Sequence, residues 1–130
     1  MATILVVDDE PDALHLLRAW LSKHDYDVVT AATGEQAFNM AVNQLPNLIL
    51  LDVMLPDIDG LTICKRLRAT PATSHIPVIL LTAYDPAVGR AEALMAGAND
   101  YITKPIILHE LLDRLNVLLA HDRDYIHQGQ

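Results

Sequence analysis

The 130-residue chain has few of the residues that would place it in several large protein classes. Its single cysteine, Cys64, excludes an internal disulfide, and a reducing compartment, the cytoplasm, is the expected setting. Nine basic residues stand against seventeen acidic ones, a net charge of −8 with no basic stripe. That balance argues against nucleic acid as a direct partner. No apolar run approaches the ~18 residues that a membrane span requires, so no membrane partner is expected. The opening MATILVVDDE has no basic flank and meets two aspartates early, unlike a signal peptide. Aromatic side chains are scarce, with one Phe and one Trp, so the core must be aliphatic. No two of the six histidines (15, 24, 75, 109, 121 and 127) stand four apart, and all are read as surface residues. The length suits one domain with a core of its own.

What the chain does have is alternation. Short aliphatic runs at 4–7, 27–31, 47–52, 77–82 and 100–103 read as strands. Those at 48–51 and 78–81 lack polar positions, as strands covered on both faces do. Between them the apolar spacing is helical. Pro11 opens a segment with Leu14, Leu17 and Leu21 on one face, and Thr33 to Gln36 fits a capping box before Ala37, Met40 and Ala41. Leu61, Cys64 and Leu67 mark a third helix, in which Cys64 is a small core residue. Pro86 starts a fourth, indifferent helix that runs to about Ala96 and stops at Gly97. Leucines 108, 111, 112, 115, 118 and 119 line a fifth, expected to end near Ala120. Residues 1–121 are read as the domain, and 122–130 as a polar, fraying tail or truncated linker. Five βα units with short connections imply an α/β fold, a doubly wound parallel sheet with helices on both faces.

In such sheets ligands bind beyond the carboxyl ends of the strands. The first strand ends in Asp8 and Asp9, the third in Asp52, the fourth in Thr82 and the fifth in Thr103-Lys104-Pro105. Asp12 and Asp85 are read as helix caps, and Asp57 and Asp59 as loop and cap residues. Three neighbouring carboxylates repel unless a cation or protons intervene. Oxygen-only ligands favour Mg²⁺, and a Lys and a Thr hydroxyl opposite the metal would face a second anion. The set describes a phosphoryl site.

Four segments, VVDDEPD (6–12), LILLDVMLPDIDG (48–60), PVILLTA (77–83) and AGANDYITKP (96–105), occur in this order. Together they make the chain, from about Thr3 to Leu119, resemble the receiver domain of two-component response regulators. The resemblance implies a five-stranded sheet of order 2-1-3-4-5 with five helices. It implies that Asp52 is the phosphoacceptor, taking a phosphoryl group from a sensor histidine kinase or phosphotransfer protein. By the same resemblance Asp9, Asp52 and the backbone carbonyl of Met54 are Mg²⁺ ligands, with Asp8 acting largely through water. Lys104 pairs with the phosphoryl oxygens, Thr82 hydrogen-bonds them, and Lys104-Pro105 has a cis bond. Thr82 and Tyr101 form a coupled switch that alters the face of the fourth helix, fifth strand and fifth helix. That face would signal to a downstream effector protein or domain, and the family also uses it for homodimers. Met54 and Tyr84 would flank the phosphoryl group and govern how fast water reaches it.

On this reading the protein is a signalling domain, catalysing only its own phosphorylation and dephosphorylation. Two alternatives are open: a phosphorylation-independent interaction module with vestigial acids, and a Mg²⁺-dependent phosphohydrolase working through an aspartyl-phosphate. The second would want D-x-D after the first strand, where this chain has adjacent Asp8 and Asp9. A flavodoxin-like electron carrier is disfavoured, because DDEPD would repel a flavin phosphate.

Overall fold

A computed structural model describes residues 1–83 and 85–128. Five strands, β1 (Thr3–Val7), β2 (Asp27–Ala31), β3 (Leu48–Asp52), β4 (Val78–Thr82) and β5 (Asp100–Thr103), alternate with five helices. The helices are α1 (Pro11–Lys23), α2 (Gly34–Gln44), α3 (Gly60–Ala69), α4 (Pro86–Ala96) and α5 (Leu108–Gln128). The sheet is parallel throughout, in the order β2-β1-β3-β4-β5.

Period-two alternation within each strand divides the core into two layers. Leu5, Val7, Ile49, Leu51, Val78 and Leu80 face α2, α3 and α4, where Ala37, Ala41, Ile63, Cys64, Leu67, Ala93 and Ala96 meet them. Ile4, Val6, Leu48, Leu50, Ile79 and Leu81 face the other way, onto Leu17, Leu21, Leu111, Leu115 and Leu119 of α1 and α5. Every residue of β3 and β4 is buried, which explains why those runs show no polar alternation.

The helix starts follow local chemistry. Thr33 Oγ1 accepts from Gln36 N at 3.1 Å, and Gln36 Oε1 accepts from Ala32 N, closing the expected box one residue early. Asp59 caps α3 and Asp85 caps α4, as expected. Asp12 does not cap α1. Pro11 takes the first helical position, so Asp12 falls inside the first turn, where its charge suits the helix dipole, and Glu10 is the cap without a side-chain bond. Helix α5 runs to Gln128 rather than ending near Ala120 as expected. No glycine or proline lies between Leu108 and Gln128 to stop it. Cys64 is fully buried, and His15, His24, His75 and His109 are exposed. The side chains of His121 and His127 lie outside the described residues.

Candidate functional site

The site is assembled by strand register. Pairing of β1 with β3, β3 with β4 and β4 with β5 aligns their carboxyl ends, so Asp8, Asp52, Thr82 and Lys104 meet along one edge. Backbone bonds fix the approach: Asp8 N donates to Ala31 O at 3.1 Å and Lys104 N to Thr82 O at 2.7 Å. The Lys104–Pro105 peptide is cis.

Asp52 is 3% exposed, Asp8 1% and Thr82 2%, whereas Asp9 is open to solvent. One oxygen from each of Asp8, Asp9 and Asp52 lies within 4.8 Å of the others. Asp52 Oδ1 accepts from Met54 N at 3.0 Å, and Oδ2 accepts from Lys104 Nζ at 2.7 Å. Lys104 Nζ also donates to Asp8 Oδ2 at 3.3 Å, while Asp8 Oδ1 accepts from Glu10 N. Burial pushes the Asp52 carboxyl above its ordinary value, and the Lys104 and Met54 N–H bonds offset part of that rise. Burial acts to lower Lys104, but its hydrogen bonds and the negative charges of Asp52 and Asp8 outweigh it, and its ammonium is held more firmly than usual. Two of the three clustered carboxylates, Asp8 and Asp52, thus share one ammonium. The oxygen-only, partly open donor set fits a hard divalent cation such as Mg²⁺, which would relieve the remaining repulsion.

Tyr101 is half-buried on β5 and packs against the layer beneath α3 and α4. The Met54 side chain is 64% exposed beside the acceptor. Tyr84, expected to be its counterpart, lies outside the described residues.

Two residues of the site are not evident from sequence. A Cβ on Gly60 would lie 2.2 Å from Asp52 O, so α3 starts against the backbone of the central acid. Asp57 reaches across to α2, accepting from Gly34 N at 2.7 Å and Glu35 N at 3.0 Å, which drives its carboxyl down to about 2. The loop after β3 is thereby held at both ends. The only local signal for either residue is the string PDIDG, which equally suits an unattached turn.

Residues 4–116 match the family model of the response regulator receiver domain. The chain belongs to that family. This receiver domain is 50% identical over 105 residues to the response regulator PleD of Caulobacter vibrioides, covering 81% of this chain and 23% of PleD. It spans about half the length of other curated relatives it matches. Among solved structures, the BeF3-activated N-terminal receiver domain of Klebsiella pneumoniae RstA matches with a TM-score of 0.83 and 39% identity. That match covers 90% of this chain and 97% of that one. The receiver domain of the sensor histidine kinase PA1611 from Pseudomonas aeruginosa, with a magnesium ion coordinated in its active site cleft, matches with a TM-score of 0.84 and 34% identity. It covers 92% of this chain and 98% of that one. The sheet order of this receiver domain is the one its sequence resemblance implied. Among the described residues no helix is long and apolar enough to cross a membrane.

Proposed function

We propose that the domain carries a phosphoryl group on Asp52, received from a phosphohistidine of a sensor histidine kinase or phosphotransfer protein in the cytoplasm. The observation that carries this reading is the buried Asp52 carboxylate, bonded to Lys104 at 2.7 Å with Asp8 and Asp9 beside it. A carboxylate oxygen of Asp52 attacks phosphorus, the N–P bond breaks, and the leaving imidazole takes its electron pair, giving an acyl phosphate. Phosphoryl transfer of this kind needs position and charge neutralisation more than covalent help. The strand LILL fixes the acid, and the Met54 N–H orients one of its oxygens. Lys104 is near enough to follow the charge onto the phosphoryl oxygens, and Thr82, buried one strand away, offers them a hydroxyl. Asp8, Asp9, Asp52 and the Met54 carbonyl would hold Mg²⁺, which when bound would supply positive charge to offset that of the phosphoryl oxygens. The domain acts only on its own phosphorylation and dephosphorylation.

The output surface would be α4, β5 and α5. A groove of about 410 Å³ there is lined by Arg90, Leu94, Tyr101, Glu110 and Arg114, and Val88, Leu94 and Met95 project from α4. An effector, or a second copy of the chain, would read that face. The decisive experiment is intact mass after incubation with acetyl phosphate, with and without Mg²⁺, beside Asp52→Asn. One phosphoryl adduct that needs both the metal and Asp52 supports the reading. An adduct surviving in Asp52→Asn, or none with either acetyl phosphate or a phosphorylated kinase, would sink it.

A further inference from the structure

Gly89 closes the first turn of α4 with a hydrogen bond from its N–H to Asp85 O, and it is buried. Glycine costs a helix stability relative to alanine, so its presence there calls for a reason. Backbone conformation is not that reason, since Gly97 is the only glycine with positive φ among the described residues. Close approach of another backbone is not the reason either. The atoms nearest a Cβ on Gly89 are side-chain atoms of two residues, Thr82 Cγ2 at 3.3 Å and Tyr101 Cδ2 at 3.3 Å. Those are the two residues assigned to the switch.

The other end of α4 is fastened. Arg68 donates to Gly97 O at 2.7 Å, to Ile76 O at 2.8 Å and to Asn99 Oδ1 at 2.6 Å, and Val78 N donates to the same Asn99 oxygen. One guanidinium therefore ties α3, the entry to β4, the end of α4 and the entry to β5. Displacement of α4 is easiest at its Pro86–Gly89 end, next to Thr82 and Tyr101. The guanidinium of Arg90, the next residue, stands 6.0 Å from the Tyr101 ring centroid.

We infer that Gly89 is a positioning residue: the absent methyl is the clearance through which movement of Thr82 is transmitted to the Tyr101 ring, with α4 hinged at its Arg68-pinned end. This inference rests on the reading of Asp52 as phosphoacceptor and deepens it. A methyl at 89 must push on both side chains at once, so neither can move into space the other leaves. The chemistry at Asp52 is untouched by it.

The test compares wild type, Gly89→Ala, and Gly89→Ala combined with Ala91→Gly. Ala91 is exposed on the same helix, so the second change returns the helix propensity without removing the methyl. Intact mass with acetyl phosphate and Mg²⁺ reads the chemistry. The NMR shifts of Thr82 and Tyr101 on adding beryllium fluoride with Mg²⁺ read the switch. The expected result is an unchanged mass adduct in all three proteins, with the Tyr101 shift reduced to less than half of wild type in both variants. A Tyr101 response equal to wild type overturns the inference, as does a response lost in the single variant but restored in the double one, which would assign the effect to helix propensity. Loss of the adduct in the variants alone overturns it too. Absence of an adduct in the wild type itself would instead refute the phosphoacceptor reading, and the inference would go with it.

Discussion

Lys104 Nζ lies 2.7 Å from Asp52 Oδ2 and 3.3 Å from Asp8 Oδ2, so a single half-buried ammonium serves two buried carboxylates. These two residues, 52 positions apart, meet because β3 and β5 flank β4 and end level with it. Taking the lysine away leaves like charges facing each other in a site that water reaches poorly. Lys104→Met is expected to lose about 1–3 kcal/mol of stability at pH 7.5, below the ~3–5 kcal/mol of a fully buried broken pair because Lys104 is partly exposed. Urea denaturation gives the number. Added Mg²⁺ should restore part of the loss by binding the native state, and a variant as stable as wild type in the absence of metal would contradict the account.

The raised Asp52 carboxyl makes a prediction of opposite sign. A carboxyl that binds its proton more tightly when folded favours the native state at low pH, and that contribution is lost as pH rises from the ordinary 3.8 through the raised value. At neutral pH an ionised Asp52 is therefore a cost. Asp52→Asn removes the charge and keeps an acceptor oxygen for one of the two donors, Met54 N or Lys104 Nζ, which bond to different oxygens of the acid, and Lys104 retains Asp8. The variant is expected to unfold at higher urea than wild type at pH 7, by roughly 1 kcal/mol, the scale of one partly compensated polar group. The gap should close below pH 4. Equal stabilities at pH 7 would mean that Lys104 already cancels the burial cost.

Much of this site is legible in the sequence because strand ends are punctuated. Asp8, Asp52 and Thr82 each follow an unbroken aliphatic run, Lys104 follows the short strand DYIT, and a parallel sheet brings such ends together. The strand spans are legible for the same reason. What cannot be seen there is contact across the fold. The carboxylate of Asp57 caps a helix that begins 23 residues earlier, and no local pattern marks that. Asp12 misleads because Pro11 shifts the helix start by one position, and α5 overruns because polarity alone does not stop a helix.

Gly60 illustrates the cost of such a hidden contact. A methyl there would sit 2.2 Å from Asp52 O and 2.9 Å from Val53 Cα, both backbone atoms that cannot swing aside. Gly60→Ala is expected to lose about 2–3 kcal/mol, typical of overpacking. It should also slow labelling of Asp52 by acetyl phosphate, since relief must come from moving the loop that carries Met54. Denaturation and mass-labelling rate test the two parts separately, and normal values for both would show that α3 can shift at no cost.

Leu45 offers a change that should improve the protein. It follows α2 in the left-handed region at φ 47°, ψ 61°, its side chain is 54% exposed, and Pro46 comes next. An L-residue with a branched side chain is strained there, while glycine is not. Leu45→Gly is expected to raise stability by about 0.5–1 kcal/mol. The gain is limited because the unfolded chain becomes freer, and a fall in stability would mean that the Leu45 side chain contributes packing that its exposure conceals.

Asp57 sets the acid limit of the loop. It accepts from two N–H groups at the start of α2, and its carboxyl is held at about 2 against an ordinary 3.8. A carboxyl depressed in the folded state contributes stability that is present above pH 3.8 and is lost as pH falls toward 2. Because the group is open to solvent, salt should weaken the effect. NMR titration should therefore find Asp57 ionised at pH 3, with the Gly34 and Glu35 amide signals moving only as it protonates. Asp57→Asn should remove that transition and leave wild type and variant converging in stability toward pH 2. An Asp57 that titrates near 4, with the two amides indifferent to it, would mean that the loop after β3 is not anchored to α2 in solution.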